Sequence, residues 1–165
     1  MFELILILFV VSASHQAKGN ACSIDDVIQE KIEDMLKDRP AFFAFVKASV
    51  LFTGNDILKF KDVRTNIGNH YNPTTGRFTA PKQGLYEISC LLYGVGPSRV
   101  TFQIHKNNAL FAYGFTPGRQ YNSNTISLLM ELKTGDEVYV KHRFPQRRET
   151  VQGRQHSYFS GRLLQ

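Results

Sequence analysis

From Val100 onward the chain alternates apolar and polar residues with a period of two. Val100, Phe102 and Ile104 alternate with Thr101, Gln103 and His105. Ile126, Leu128, Met130 and Leu132 alternate with Thr125, Ser127, Leu129 and Glu131, and Val138 and Val140 with Glu137, Tyr139 and Lys141. Successive side chains of a strand point to opposite faces, so each run predicts a half-buried β-strand. Turn-forming clusters separate the runs: Thr53-Gly54-Asn55-Asp56, Gly94-Val95-Gly96-Pro97, Lys106-Asn107-Asn108, Pro117-Gly118 and Thr134-Gly135-Asp136. Many short strands punctuated this often predict an all-β sandwich or barrel.

The period changes near the amino terminus. Ile24, Ile28, Ile32 and Met35 recur at spacings of four, four and three, with Val27 and Leu36 on the flanks, which predicts a helix. Ser23 is placed to cap it, Asp26 suits the positive end of its dipole, and Pro40 stops it. A helix this short is marginal alone in water, so its apolar stripe calls for a partner. That partner is either its own head or sister chains in a short coiled coil; the second is favoured, although Lys31 near the middle of the stripe weighs against it. Ahead of it, Leu4 to Val11 is an unbroken run of eight apolar residues followed by small and polar ones. This is the length of a secretory signal core and too short for a membrane span, so residues 1–19 are expected to be a signal peptide. Cleavage after Ala13, Ser14 or Gly19 is equally compatible, Glu3 is an unusual leader residue, and a buried first strand is the competing reading.

Charge divides the remainder. Residues 20–39 carry six acids and three bases, and residues 40–165 carry seven acids and sixteen bases, so an acidic helical stalk precedes a basic head. With 42% hydrophobic residues, 13 Phe and 7 Tyr in 165 positions, the head has material for a sizeable core and is not a disordered chain.

Within the head, Phe60, Asn66, Tyr71 and Phe78 precede Gly84-Leu85-Tyr86 at intervals that fit neither one helix nor one strand. They read as parts of successive strands and turns whose aromatics meet in one core. This spacing resembles the signature of the complement C1q globular-head domain, a branch of the tumour-necrosis-factor-like superfamily, although its last two aromatic positions hold Ile88 and Cys90 here. Ala41-Phe42-Phe43-Ala44-Phe45 resembles the family's first strand, and the stretch from Asn72 to Pro81 its turn and following strand. Leu132-Lys133-Thr134-Gly135-Asp136-Glu137-Val138 resembles its Leu-x-x-Gly-Asp-x-Val segment, and the stretch from Ser157 to Leu164 its closing strand. The resemblance implies a ten-stranded jelly-roll β-sandwich that associates as a trimer and recognises ligands without catalysis. Stand-alone heads of this kind are commonly innate immune pattern-recognition or lectin-like proteins, and that is the role the resemblance implies. The alternatives are a cytokine- or cerebellin-like ligand for a cell-surface receptor and an extracellular structural protein. Collagen-type stalks are excluded by the lack of any Gly-x-y repeat.

Candidate chemistry is sparse. His15, His70, His105, His142 and His156 show no metal-ligand spacing and neighbour no nucleophile motif, so each reads as a surface group and no enzyme is expected. Some relatives bind calcium near the trimer axis, but Asp56, Asp62 and Asp136 are scattered over separate turns and form no calcium loop. No cofactor is implied. No Asn heads a usable glycosylation sequon, since Asn72 precedes Pro73. Cys90 lies in an apolar strand and reads as a small buried hydrophobe, leaving Cys22 to link neighbouring chains; a Cys22–Cys90 bridge is the alternative. The clearest surface feature is the stretch from Lys141 to Arg154, expected as a loop between the last two strands. Its five bases, Lys141, Arg143, Arg147, Arg148 and Arg154, oppose Glu149 alone. Arginine suits bidentate contact with carboxylate, sulfate or phosphate, so the segment is a candidate surface for microbial or anionic glycan and lipid ligands. Otherwise it only keeps the head soluble. Nucleic acid is a poor partner despite a pI near 9.4, because no nucleic-acid fold motif is present.

Overall fold

The computed structural model describes residues 23–37, 39–97, 99–118 and 122–165, so the leader expected over residues 1–19 and Cys22 lie outside the described residues. The chain divides after Lys37. The first unit contains α1 (Ile24–Lys37). Its start is a reciprocal capping box: Asp26 N–H donates to Ser23 Oγ and Ser23 N–H to Asp26 Oδ2, both at 3.1 Å. Ile24, Val27, Ile28 and Ile32 of its apolar stripe are exposed.

The second unit is a two-sheet jelly-roll sandwich. In chain order its strands are β1 (Ala41–Phe45), β2 (Val50–Thr53), β3 (Asp62–Ile67), β4 (Tyr71–Asn72), β5 (Arg77–Thr79), β6 (Gly84–Gly94), β7 (Thr101–Lys106), β8 (Ala109–Phe115), β9 (Asn122–Leu132), β10 (Glu137–His142), β11 (Arg148–Val151) and β12 (Tyr158–Leu163). One sheet runs β2-β11-β6-β12-β1-β3, with β9 paired along the whole of β6; the other runs β4-β5-β10-β7-β8. All pairings are antiparallel. β9 shows the expected alternation, with Met130 and Leu132 buried and Leu129 and Glu131 exposed. β7 departs from it. Thr101 and His105 are buried beside the apolar positions, because Thr101 holds a buried carboxylate and His105 lies under the Tyr139 ring.

Phe42 on β1 stacks on Tyr71 of β4 and Phe78 of β5 at 4.9 and 4.8 Å, and meets Phe159 of β12 edge-on at 4.9 Å. Phe60 and Tyr86 extend the cluster through Phe159 and Phe78. The polar members of the spaced signature fasten the turns that deliver these rings. Asn66 Nδ2 donates to Tyr71 O at 2.9 Å and Asn66 Oδ1 accepts from Tyr71 N–H at 3.0 Å. Tyr71 Oη accepts from Phe60 N–H at 3.0 Å and donates to Phe60 O at 3.3 Å. At Gly84 a Cβ would collide with Gln165 O, which accepts Leu85 N–H, so only glycine lets the final strand close there. In the Leu-x-x-Gly-Asp-x-Val segment, hydrogen bonds from Asn107 Nδ2, Lys133 N–H and Lys106 Nζ hold the Asp136 carboxyl down at about 2.

Substitutions at three positions test this core. Phe42→Ala should lower unfolding free energy by about 3–5 kcal/mol. Tyr71→Phe, which leaves the buried Phe60 N–H and C=O unpaired, should cost about 1–3 kcal/mol. Phe43→Ala on the opposite face should cost clearly less than Phe42→Ala in the same denaturant titration, since Phe42 is buried and Phe43 only half-buried.

Candidate functional site

The basic stretch is not the continuous loop expected from its composition. Its centre is β11, which pairs with β2 from Arg148↔Thr53 to Val151↔Val50. The reason is a two-residue period that charge had masked: Glu149 and Val151 point inward, while Arg148 is exposed. Glu149 is 2% exposed, and its carboxylate accepts from Thr101 N–H and from Thr101 Oγ1, the latter at 2.9 Å. Its Oε2 lies 3.3 Å from His142 Nε2, and the other ring nitrogen of His142 donates to Gly54 O at 3.1 Å. A buried carboxylate needs such partners to offset its desolvation. His142 is therefore a core group packed on Phe52 at 4.7 Å, not the surface group expected.

This tie draws together residues that are distant in sequence. Arg147 and Arg148, immediately before Glu149, line a cleft of about 530 Å³ with Arg99, two residues before Thr101, and with Pro97 and Gly118. Among the described residues, no acidic side chain pairs with Arg99, Arg147 or Arg148. The one carboxylate in the cleft wall, that of Glu149, is turned inward onto Thr101 and His142. The site can therefore present several guanidinium forks to one anionic group.

The other predicted bases lie elsewhere. Arg143 stacks on Tyr113 with its guanidinium carbon 4.0 Å from the ring centroid, and Arg143 and Arg147 both approach Phe144, at 4.9 and 4.6 Å. Lys141 sits on β10 opposite Gln103. Arg154 occupies a left-handed turn position and its N–H donates to Lys47 O. Two of the five thus share the cleft, and Arg99, which the sequence reading missed, completes it. Arg99 had no local signal, because it stands alone in a Gly/Pro turn far from the basic run.

On the outer face of the β4-β5-β10-β7-β8 sheet, Arg77 lies 4.0 Å above Tyr139, whose ring stacks with His105 at 5.3 Å. His105 Nε2 donates to Gln103 Oε1 at 2.9 Å, while Nδ1 is buried without a partner. Burial, then the positive charges of Lys141 and Arg77, hold its pKa below the ordinary 6.5. His105 too is not a surface group, being 8% exposed. Cys90 is free and buried, and desolvation raises its thiol pKa. Among the described residues, no cluster of three His, Cys, Asp or Glu side chains is placed to hold a metal ion, and no helix is long and apolar enough to cross a membrane.

The lowered His105 pKa carries a pH dependence of known sign. Above about pH 6.5 the ring is neutral folded and unfolded. Below it the unfolded chain takes up the proton first, so this contribution to stability is lost as pH falls toward the folded pKa. Wild type should lose more stability than His105→Gln between neutral pH and the folded His105 pKa, measured by denaturant titration at each pH.

Comparison with known proteins gives one consistent result. The C1q domain profile matches residues 41–164. The chain is 32% identical to one of the polypeptides of the mouse complement C1q subcomponent over 113 residues, covering 67% of this chain and 44% of that protein. It is 29% identical to mouse complement C1q tumor necrosis factor-related protein 3 over 90 residues, covering 53% and 37% respectively. The matches thus span less than half the length of these relatives. Among solved structures, the globular domain of zebrafish complement 1qA superposes with a TM-score of 0.63 at 16% identity, over 76% of this chain and 98% of that one. The tumour necrosis factor Eiger of S. frugiperda superposes with a TM-score of 0.61 at 13% identity, over 78% and 94%. Spaced aromatics that meet in one core, the two-sheet sandwich around them and the profile match across nearly the whole head have one reading: the chain belongs to the C1q domain family.

Proposed function

We propose that this protein is a secreted, non-catalytic recognition protein that works as a trimer and binds anionic microbial glycans or lipids through the cleft of Arg99, Arg147 and Arg148. The observation that carries the binding half is three arginines converging on one cleft with no acidic partner among the described residues. Unneutralised like charges held together favour an external anion. Secretion rests on the apolar run from Leu4 to Val11.

Assembly is supported by two unlike apolar surfaces. β8 and β9 are both sheet edges, joined where Asn124 Nδ2 donates to Phe115 O at 2.8 Å. They expose Leu110, Phe111, Tyr113, Phe115 and, at 62%, Leu129. Unpaired edges carrying large apolar groups call for cover. Elsewhere, on the outer face of β1 and β12, Phe43, Phe45 and Tyr158 form a half-buried aromatic cluster with centroids 5.0–6.3 Å apart. An edge on one copy against a face on the next is a heterologous contact, which makes a closed ring of three when each copy is turned by a third of a circle. Three clefts in one ring turn weak single contacts into avid binding.

Light scattering of the chain lacking residues 1–19 should give the mass of a trimer. Phe111→Asp combined with Leu129→Asp should give a monomer with unchanged far-ultraviolet circular dichroism. Neighbouring Cys22 residues in such a trimer are expected to form a covalent dimer on non-reducing gels, absent in Cys22→Ser. A wild-type monomer at micromolar concentration contradicts the assembly.

Binding is tested on immobilised dextran sulfate against neutral dextran over a salt series. Attraction between exposed charges is screened within about 8 Å at physiological salt, so wild-type retention should fall as salt rises. Arg99→Ala with Arg147→Ala and Arg148→Ala should abolish the preference for dextran sulfate while leaving the trimer intact. Equal affinity and equal salt slopes mean that the arginines only keep the head soluble. Saturable binding to host cells that ignores these substitutions would instead mark a ligand for a cell-surface receptor.

A further inference from the structure

A second cleft, of about 510 Å³, opens between the limb running from β1 into β2 and the limb that returns through Ile57 to Lys61. Its floor is apolar, made by the buried side chains of Val46, Phe52 and Leu58. Two large aliphatic groups in its wall, Val50 and Leu51, remain 38% and 42% exposed. Around them stand three exposed lysines, Lys47, Lys59 and Lys61. Among the described residues none of the three pairs with an acidic side chain. The one acid in the lining, Asp56, is committed to its own turn, where Oδ2 accepts Thr53 N–H at 3.3 Å.

Both limbs are anchored, so the cleft is preformed. A Cβ at Gly153 would collide with the Ala48 backbone, and this close approach seats the turn from Lys47 to Ser49 against the segment before β12. Ser49 Oγ donates to Gln152 Oε1 at 3.2 Å and Lys47 O accepts Arg154 N–H at 3.3 Å. On the other limb Leu58 N–H donates to Val140 O at 2.9 Å, and Ile57 bridges to Lys141.

We propose that this cleft binds a fatty carboxylate, its alkyl chain along Val46, Val50, Leu51, Phe52 and Leu58 and its carboxylate among Lys47, Lys59 and Lys61. The cleft volume falls within the usual range for small-molecule sites, and its lining, apolar with few polar groups, is of the usual kind. An aliphatic wall with a single aromatic ring suits a flexible alkyl chain better than a planar ring system. Lysine differs from the arginine forks of the first cleft in being a compact, strongly hydrated charge, suited to a head group that stays at the wet mouth. Ammonium groups of one sign around an apolar floor are complementary to an anionic amphiphile. None of the residues of the arginine cleft or of the two assembly surfaces takes part, so the lysine cleft stands independently of both.

The test is isothermal titration of the full secreted chain with sodium decanoate and sodium dodecanoate below their micelle concentrations. The expected result is saturable binding at one site per chain. Dodecanoate should bind about fifteenfold more tightly than decanoate, because each of its two extra methylenes is worth roughly fourfold when buried. Combined Lys47→Gln, Lys59→Gln and Lys61→Gln should weaken dodecanoate by roughly fivefold to tenfold and leave its methyl ester unaffected. Leu51→Asp, at an exposed position, should abolish binding without changing the oligomeric mass or the circular dichroism. Four results overturn the proposal: no saturable binding, equal affinity for the two chain lengths, dodecanoate binding that survives Leu51→Asp, or loss of dodecanoate binding on Arg147→Ala with Arg148→Ala. A fall in oligomeric mass caused by Leu51→Asp overturns it too, by assigning the cleft to a second copy of the chain.

Discussion

The contact of Phe42 with Tyr71, Phe78 and Phe159 holds the two sheets together. Phe42 and Phe159 belong to one sheet, Tyr71 and Phe78 to the other, and all four rings are buried. Tyr71 and Phe78 come from strands of two and three residues, too short to be held by ladder hydrogen bonds alone. Each such aromatic pair adds about 0.5–1.5 kcal/mol beyond area burial, and the contact also sets register. With Phe42 inward, the two-residue period of β1 drives Phe43 and Phe45 outward, where they meet Tyr158. The same constraint that builds the core therefore prepares an apolar surface.

A second buried contact governs the basic side of the head. Glu149 is inaccessible, hydrogen-bonded to Thr101 and 3.3 Å from His142 Nε2, so β11 cannot slip by one residue without burying an arginine in its place. That requirement fixes Arg148 outward and carries Arg99 to it from the far end of an inter-strand turn. Of the segment's five bases only Arg148 lies on β11, on the exposed half of a strand whose other half is core.

The head's excess of bases is not spread evenly. Arg77 and Arg143 are spent on the Tyr139 and Tyr113 rings, and Arg162 on Glu87. Among the described residues, six bases without a carboxylate partner line two clefts of different character, one lined by arginine and polar, the other rimmed by lysine and floored by aliphatic groups. A bidentate fork and a hydrated point charge favour different anions, so the two clefts differ in chemistry as well as in place.

The strands, the capped helix and the family were legible in the sequence because each depends on local order: a period of two, a Ser23–Asp26 cap, aromatics at set intervals. Gly84 and Asn66 were legible for the same reason, as backbone requirements of particular turns. Only tertiary structure could show that His105 and His142 are buried, because the rings covering them, Tyr139 and Phe52, come from strands far away in sequence. It alone divided the basic run into core and surface, since a carboxylate among arginines reads as exposed until its partner Thr101, 48 residues away, is known. The arginine cleft, with Arg99 in it, arises from that long-range contact, and periodicity carries no information about which distant residue a buried charge will find.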